Sequence, residues 1–279
     1  MAIVTISHQL GSGGGEVAHA VAERLGYRSV GAEVLAEAAQ RYGLVEERLT
    51  RLGEAKPAFL DRLAAETQTY IAVMQSAVYE AVRDDDVVVL GRGGQWLLRD
   101  VPHVLRVRLI APFEVRVRRL AEAFTSGTGR PPSAPAPQHA VADLVRRDDA
   151  DKAGRLRYLY DRDINDPRLY DLMVNTAKGD QEGAIDLIVR AAQRTSSLAT
   201  PAGRQLIADR ALAARVLVAL LSDEDTRGYH HDRVEASAGV VTITGGASLE
   251  VVEPVARRVD GVREVRTVEI PILPPSSLV

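Results

Sequence analysis

Ile3-Val4-Thr5-Ile6-Ser7-His8-Gln9-Leu10-Gly11-Ser12-Gly13-Gly14-Gly15-Glu16 decides how this chain is read. The β-branched run Ile3–Ser7 suits a buried strand, a turn follows at Leu10–Gly15, and a helix comes next. In that helix Val17, Val21 and Leu25 share one face at i, i+4 and i+8, and Gly26 stops it. Glycines in such a turn permit positive φ and bring backbone N–H groups up to an anion, and the positive end of the helix adds to them. Gly11, Ser12, Gly13, Gly14 and Gly15 are therefore where a phosphate chain would lie at the first strand–helix turn of an α/β domain. A tight turn that simply needs glycine is the plainer reading of the same residues. The Walker A pattern G-x-x-x-x-G-K-[ST] is absent: no lysine follows the glycines, and Glu16 stands where a magnesium-holding hydroxyl is expected.

Working outward, strand-like and helical stretches alternate. Helical patterning is expected over Val34–Tyr42 and Pro57–Arg83, and strands at Val87–Leu90 and Val104–Ile110. An arginine-rich helix covers Pro112–Phe124, helix returns over Ala140–Tyr160, Tyr170–Thr176 supplies a strand and Glu182–Gln193 a helix. This alternation argues for a parallel sheet covered on both faces. Ser126–His139, with Pro131, Pro132, Pro135 and Pro137, reads as a flexible excursion. Thr195–Arg204 reads as an interdomain linker. Beyond it come a helix over Ile207–Ser222, a strand at Gly239–Gly245, a helix near Ser248–Val259 and a closing strand at Val262–Ile270. Together they suggest a small α+β unit. The expected organisation is thus a first domain over 1–194 with a lid excursion at 126–139, a linker at 195–204, a second domain over 205–270 and a tail at 271–279.

The 279 residues suffice for one large and one small domain, and 46% hydrophobic with 26% charged residues is ordinary globular composition. No apolar run approaches the roughly 20 residues a membrane-spanning helix needs. Met1 leads straight into a strand-like segment, so no secretory signal is expected. The chain has no cysteine, which excludes disulfides and thiol chemistry and fits a cytoplasmic protein. A net charge of −3 argues against broad nucleic-acid binding, leaving room for a local basic cleft.

Three further constellations can carry chemistry. Arg92, in Gly91-Arg92-Gly93, follows a buried strand and offers a guanidinium fork suited to phosphate, or is a solvated loop arginine. Arg116 and Arg119 share a helix face and, with Arg146 and Arg147, can clamp transferring phosphates; a solvated face with Glu114 pairing Arg118 fits the same spacing. Asp151 and Arg155 lie one helical turn apart and can read a base edge and a phosphate, or form a plain salt bridge. The histidines lack metal-ligand spacing, so no metal cluster is expected.

The order of these features resembles the cytidylate kinase-like family, a branch of the P-loop nucleoside monophosphate kinases. The resemblance runs over about residues 2–192. It rests on Ile-Ser-His-Gln-Leu-Gly-Ser-Gly-Gly (6–14), Gly-Arg-Gly-Gly (91–94), Val-Arg-Leu-Ile-Ala-Pro-Phe-Glu-Val-Arg (107–116) and Asp-Pro-Arg-Leu-Tyr-Asp-Leu-Met-Val-Asn-Thr (166–176). It implies a three-layer α/β kinase-like fold and transfer of the ATP γ-phosphate, with Mg²⁺, to CMP or a related nucleotide. By position Gly11–Gly15 would cradle the donor phosphates, Arg92 would hold the acceptor phosphate, and Asp151 and Arg155 would lie near the acceptor nucleotide. Arg116, Arg119 and Arg147 would be the lid arginines of catalysis. Relatives usually carry a basic residue where Gly15 stands, often arginine where His8 stands, and an acidic residue where Gly31 stands. The tail, about Arg204–Ile270, resembles a BON domain through Gly239–Gly245 and Ala256–Val265, which implies a protein or small-ligand partner. Two other functions stay open on the residues: a catalytically impaired nucleotide sensor coupled to the tail, and a non-enzymatic adaptor. The sequence leaves the oligomeric state undetermined.

Overall fold

Ile3–His8 (β1) forms the middle of a five-stranded, all-parallel sheet ordered β2-β3-β1-β4-β5. Its other strands are Arg28–Val30 (β2), Val87–Leu90 (β3), Val104–Ile110 (β4) and Leu172–Asn175 (β5). The computed structural model describes residues 2–31, 33–42, 64–126, 138–178 and 181–269. Among these, helices Gly14–Leu25 (α1), Glu33–Arg41 (α2), Ala64–Ala81 (α3), Gly94–Leu97 (α4), Phe113–Ser126 (α5), Gln138–Tyr160 (α6) and Gln181–Thr195 (α7) precede a second group of elements. Most of the proline-rich excursion, 127–137, and the tail, 271–279, lie outside the described residues, as does 57–63 of the helical stretch expected there.

The alternation of β1 dictates its packing. Val4 and Ile6 join Val88, Leu105, Val107 and Leu109 in a cluster with Val17 and Val21 of α1 and Ile185 and Ile188 of α7. On the opposite phase Thr5 meets Gly94 of α4, where even a methyl group would press on Thr5 and Val89. Helices thus cover both faces, as a parallel sheet requires. β3 pairs with one side of β1 and β4 with the other. The strand order therefore reverses at β1, and the loops leaving the carboxyl ends of β1 and β4 flank the crevice where open α/β sheets place ligands.

Contacts divide the chain into two units. The first holds the residues up to Val34 and Asp84–Thr200; the second holds the rest of α2, helix α3 and everything from Pro201. The sequence reading drew 1–194 as one domain, whereas α3 packs on Pro201–Ser222 (α8) in the second unit. Helix α8 begins six residues before the expected Ile207, so part of the segment read as linker is helical. Proline at a first helical position has no N–H to lose and is a start signal there.

Within the second unit His231–Ser237 (β6), Val240–Gly245 (β7) and Glu264–Glu269 (β8) form a sheet ordered β6-β7-β8. β6 is antiparallel to β7; β8 is parallel to it, across helix Leu249–Ala256 (α9). Leu212, Val216 and Leu220 of α8 pack with Val241, Ile243, Val252, Val255 and Val265. Glu80 of α3 is the polar tie of this unit: its carboxylate lies 3.8 Å from Arg41, 3.2 Å from Arg83 and 3.6 Å from Arg215 of α8. Tyr42 and Ser76 add a hydroxyl–hydroxyl bond. Among the described residues no helix is long and apolar enough to cross a membrane.

Candidate functional site

The glycine loop leaves β1 at His8 and turns into α1 through Gly11 and Gly13, at φ 80° and 83°. Left-handed backbone on either side of Ser12 suits a loop whose N–H groups face an anion, with the N–H of Ser12 itself committed to Gln9 O at 3.1 Å. Gly13 is the N-cap of α1 and has no side chain to satisfy the first-turn N–H groups. Ser12 is fully buried and turned inward: its hydroxyl donates to Gln9 O at 2.7 Å. Gly15 and Glu16 are exposed in the first turn, and nothing lies within 4 Å of a Cβ built on Gly15.

Neighbouring elements hold the loop from below. Arg116 of α5 is 4% exposed; its Nε donates to Ala111 O at 3.0 Å, Nη1 reaches Leu10 O at 3.4 Å, and the fork closes on Asp149 of α6 at 3.0 and 2.7 Å. Arg119, one turn later, donates to Thr176 Oγ1 at 2.9 Å and Thr176 O at 2.6 Å, and Thr176 Oγ1 donates to Ser12 O at 3.0 Å. Two of the three arginines expected as lid residues therefore tie to the loop, Arg116 directly and Arg119 through Thr176, but they spend their donors on the protein scaffold. Arg147 stands apart: it is exposed, and its Nε donates to Asp143 O of its own helix at 3.2 Å.

Arg92 sits in the left-handed region at φ 56°, between Gly91 and Gly93, and its Nε donates to Gly31 O at 3.3 Å. Gly31 has no carboxylate, yet Glu33 returns one, accepting from Gly31 N at 2.7 Å. Arg92 and an acidic group thus both bond Gly31 at the end of β2, although the acid comes from two residues farther along. Asp151 and Arg155 are half-buried on α6, and Arg155 Nε is buried with no hydrogen-bond partner. Tyr160, at the end of α6, lies against Gly93 and tilts over Trp96 with ring centroids 6.5 Å apart.

Three residues to which the sequence reading gave no role stand at the carboxyl ends of β1 and β4 and beside them on α6. Arg108 of β4 is 4% exposed, donates from Nη1 to Ser7 Oγ at 2.7 Å and stands 5.8 Å from the Tyr170 ring. Burial pulls its guanidinium below the ordinary arginine value. His8 lays its ring against Gly14, where any side chain would collide with it. Burial, then the charges of Lys152 and Arg108 against the opposing pull of Asp148, hold the imidazole at about 4 and so neutral at pH 7. Lys152 of α6 pairs with Asp148 at 2.8 Å and donates to His8 O at 3.3 Å. The signal in the sequence was thin: Arg106 and Arg108 alternating with the apolar residues of Val104–Ile110, and one lysine among the acids of α6. Among the described residues no group of acidic or histidine side chains is arranged to hold a metal.

Residues 3–178 match the model of the cytidylate kinase-like family. The cytidylate kinase of Halobacterium salinarum is 30% identical over 191 residues, 68% of this chain and 88% of that protein. That of Archaeoglobus fulgidus is 29% identical over 191 residues, 68% of this chain and 94% of its own length. An uncharacterised protein of Eubacterium ventriosum, 18% identical, overlays on 69% of this chain and 99% of its own with a TM-score of 0.50, a likeness of fold. The stretch that matches the family model begins at β1 and its glycine loop and runs past Thr176 beneath that loop, so the chain belongs to the cytidylate kinase-like family.

Proposed function

We propose that this protein is a nucleoside monophosphate kinase that transfers the γ-phosphate of ATP to CMP or a closely related nucleotide. The observation that carries the reading is the turn of Gly11–Gly13 at the start of α1, placed at the crevice where the strand order reverses and lined by buried cations. Phosphoryl transfer asks chiefly for positioning and positive charge around the phosphates. The backbone N–H groups of the loop fit the donor polyphosphate, with Arg116 fixing the loop at Leu10 O and Arg119 fixing it through Thr176. Arg92 suits the acceptor phosphate, with Asp151 and Arg155 on the nucleoside side; the unpartnered Nε of Arg155 supports that placement. ATP fits these residues. Mg²⁺ finds no built ligand set: Ser12 is turned away, Glu16 stands where the hydroxyl is expected, and no acidic cluster stands ready among the described residues. Mg²⁺ would therefore be held mainly by phosphate oxygens and water, its common mode in such enzymes, and would neutralise charge on the transferring group.

The β7–α9–β8 arrangement supports a BON-like reading of residues 205–270, with a protein or small-ligand partner. A nucleotide sensor coupled to that unit is the second reading, favoured by the empty space at Gly15, where relatives usually carry a basic residue, and by Glu16 where a magnesium-holding hydroxyl is expected. An adaptor would leave the cations facing solvent, whereas Arg108 and Arg116 are buried. A coupled phosphotransfer assay with ATP, Mg²⁺ and each nucleoside monophosphate tests the proposal, run beside calorimetric binding of the same ligands. Turnover with CMP that is lost in Arg92→Ala is expected. Binding without turnover would replace the kinase by the sensor.

A further inference from the structure

The glycine loop carries no cation of its own, and the structure brings one to it from elsewhere. Lys152 lies 144 residues beyond His8, yet its ammonium donates to the carbonyl oxygen of His8, the last residue of β1 before the loop. Asp148, one turn earlier on α6, holds the ammonium at 2.8 Å. An ammonium has three donors; one is turned to His8 O, and the contact with Asp148 Oδ2 is an ion pair without hydrogen-bond geometry, so donor capacity remains for an incoming oxygen. The side chain is 29% exposed, so it is neither sealed in the core nor free in solvent. The His8 ring covers Gly14, which blocks a side chain from rising out of the loop at that position. The adjoining cation, Arg108, already bonds Ser7 Oγ at the preceding residue of β1.

We infer that Lys152 supplies from helix α6 the positive charge that the glycine loop lacks, and contacts the polyphosphate of a nucleoside triphosphate seated on Gly11–Gly13. This rests on the reading that the loop holds a triphosphate. Lys152 is then a catalytic residue, and Asp148 positions it while competing with the phosphate for its charge. A plain i,i+4 ion pair on a helix surface does not account for the bond to His8 O, which joins α6 to the mouth of the loop.

The test is calorimetric titration of the full chain with inorganic tripolyphosphate, ATP and CMP. Lys152→Met is expected to weaken tripolyphosphate and ATP roughly 10- to 100-fold, the range for one lost bond to a charged group, and to leave CMP within about twofold. If phosphotransfer is measured, the rate constant falls by about 10²–10³. Asp148→Asn frees the ammonium and is expected to tighten tripolyphosphate several-fold, a gain that a misfolded variant cannot produce. That gain disappears in the D148N/K152M double variant. Wild-type protein that binds no tripolyphosphate or ATP overturns the triphosphate reading and this inference with it. Wild-type binding that Lys152→Met leaves intact overturns the inference alone. Should Lys152→Met fail to fold, an unchanged affinity in Asp148→Asn overturns it.

Discussion

Gly11→Ala is the sharpest perturbation of the loop. At φ 80° an L-residue incurs the steric cost of the left-handed region, about 1–2 kcal/mol. The new methyl would also stand 2.7 Å from Arg116 O and 3.0 Å from Arg116 Cα, both main chain. That segment cannot yield easily, because Arg116 N donates to Pro112 O at 3.1 Å and the side chain is clamped on Asp149. Forcing a methyl into a packed contact costs roughly a further 1–3 kcal/mol. The sum, about 2–5 kcal/mol, corresponds to a fall of roughly 5–15 °C in the melting temperature of a unit this size. Gly15→Ala is the control: the same change four residues on meets nothing within 4 Å and lies inside α1, where alanine is favoured over glycine by up to about 1 kcal/mol. Thermal unfolding followed by circular dichroism should therefore show Gly11→Ala melting well below wild type and Gly15→Ala at or above it. Equal melting of Gly11→Ala and wild type, or equal damage from both substitutions, would refute the argument that Arg116 fixes the loop backbone.

Other expectations follow from the same contacts. Because the folded protein holds His8 at about 4, against about 6.5 when unfolded, the unfolded chain binds more protons between those values and stability falls as pH drops through that window. The loss is on the order of 3 kcal/mol, and a melting-temperature profile from pH 7 to 4 should flatten in His8→Gln. Thr176→Val removes the relay from Arg119 to Ser12 O and should cost about 1–3 kcal/mol in urea unfolding while weakening tripolyphosphate binding. Gly15→Lys places a cation in open space at the loop mouth and should tighten ATP several-fold by calorimetry, without lowering the melting temperature. Glu80→Ala leaves Arg41, Arg83 and Arg215 without their shared carboxylate and should destabilise the second unit by about 1–2 kcal/mol in chemical unfolding, with nucleotide binding unchanged.

Periodicity made β1, α1, β3 and β4 legible, because a buried parallel strand and an amphipathic helix each write their packing into neighbouring residues. Two edge strands, β2 and β6, did not announce themselves, whereas the edge strands β5 and β8 fall within the stretches expected at 170–176 and 262–270. β2 is three residues with two exposed, and β6, His-Asp-Arg-Val-Glu-Ala-Ser, is an edge strand whose charged residues mask the alternation. The loop, Arg92, Arg116 and Arg119 were named by type and position, but the bonds that tie up Arg116 and Arg119 run to Asp149 and Thr176, which no local pattern pairs with them. Arg106 and Arg108 share a phase of β4; only the fold shows that one meets Asp171 at the rim and the other lies beneath Tyr170. Lys152 was invisible for the same reason, since its bond to His8 O spans most of the first unit's chain.

The placement of α3 bears on how the protein is made and how it can be cut. Tyr70, Val73, Met74, Ala77 and Val78 of this helix are buried, and its packing partner α8 starts at Pro201. During synthesis α3 emerges well over a hundred residues before the helix that covers it, so the second unit cannot close until the ribosome has passed Ser222. A stop at residue 194, the natural place to excise a catalytic half, would leave that apolar face without its cover. The chain is interleaved rather than strung in series. A separable phosphate-binding half would have to lose α3 or carry α8 with it.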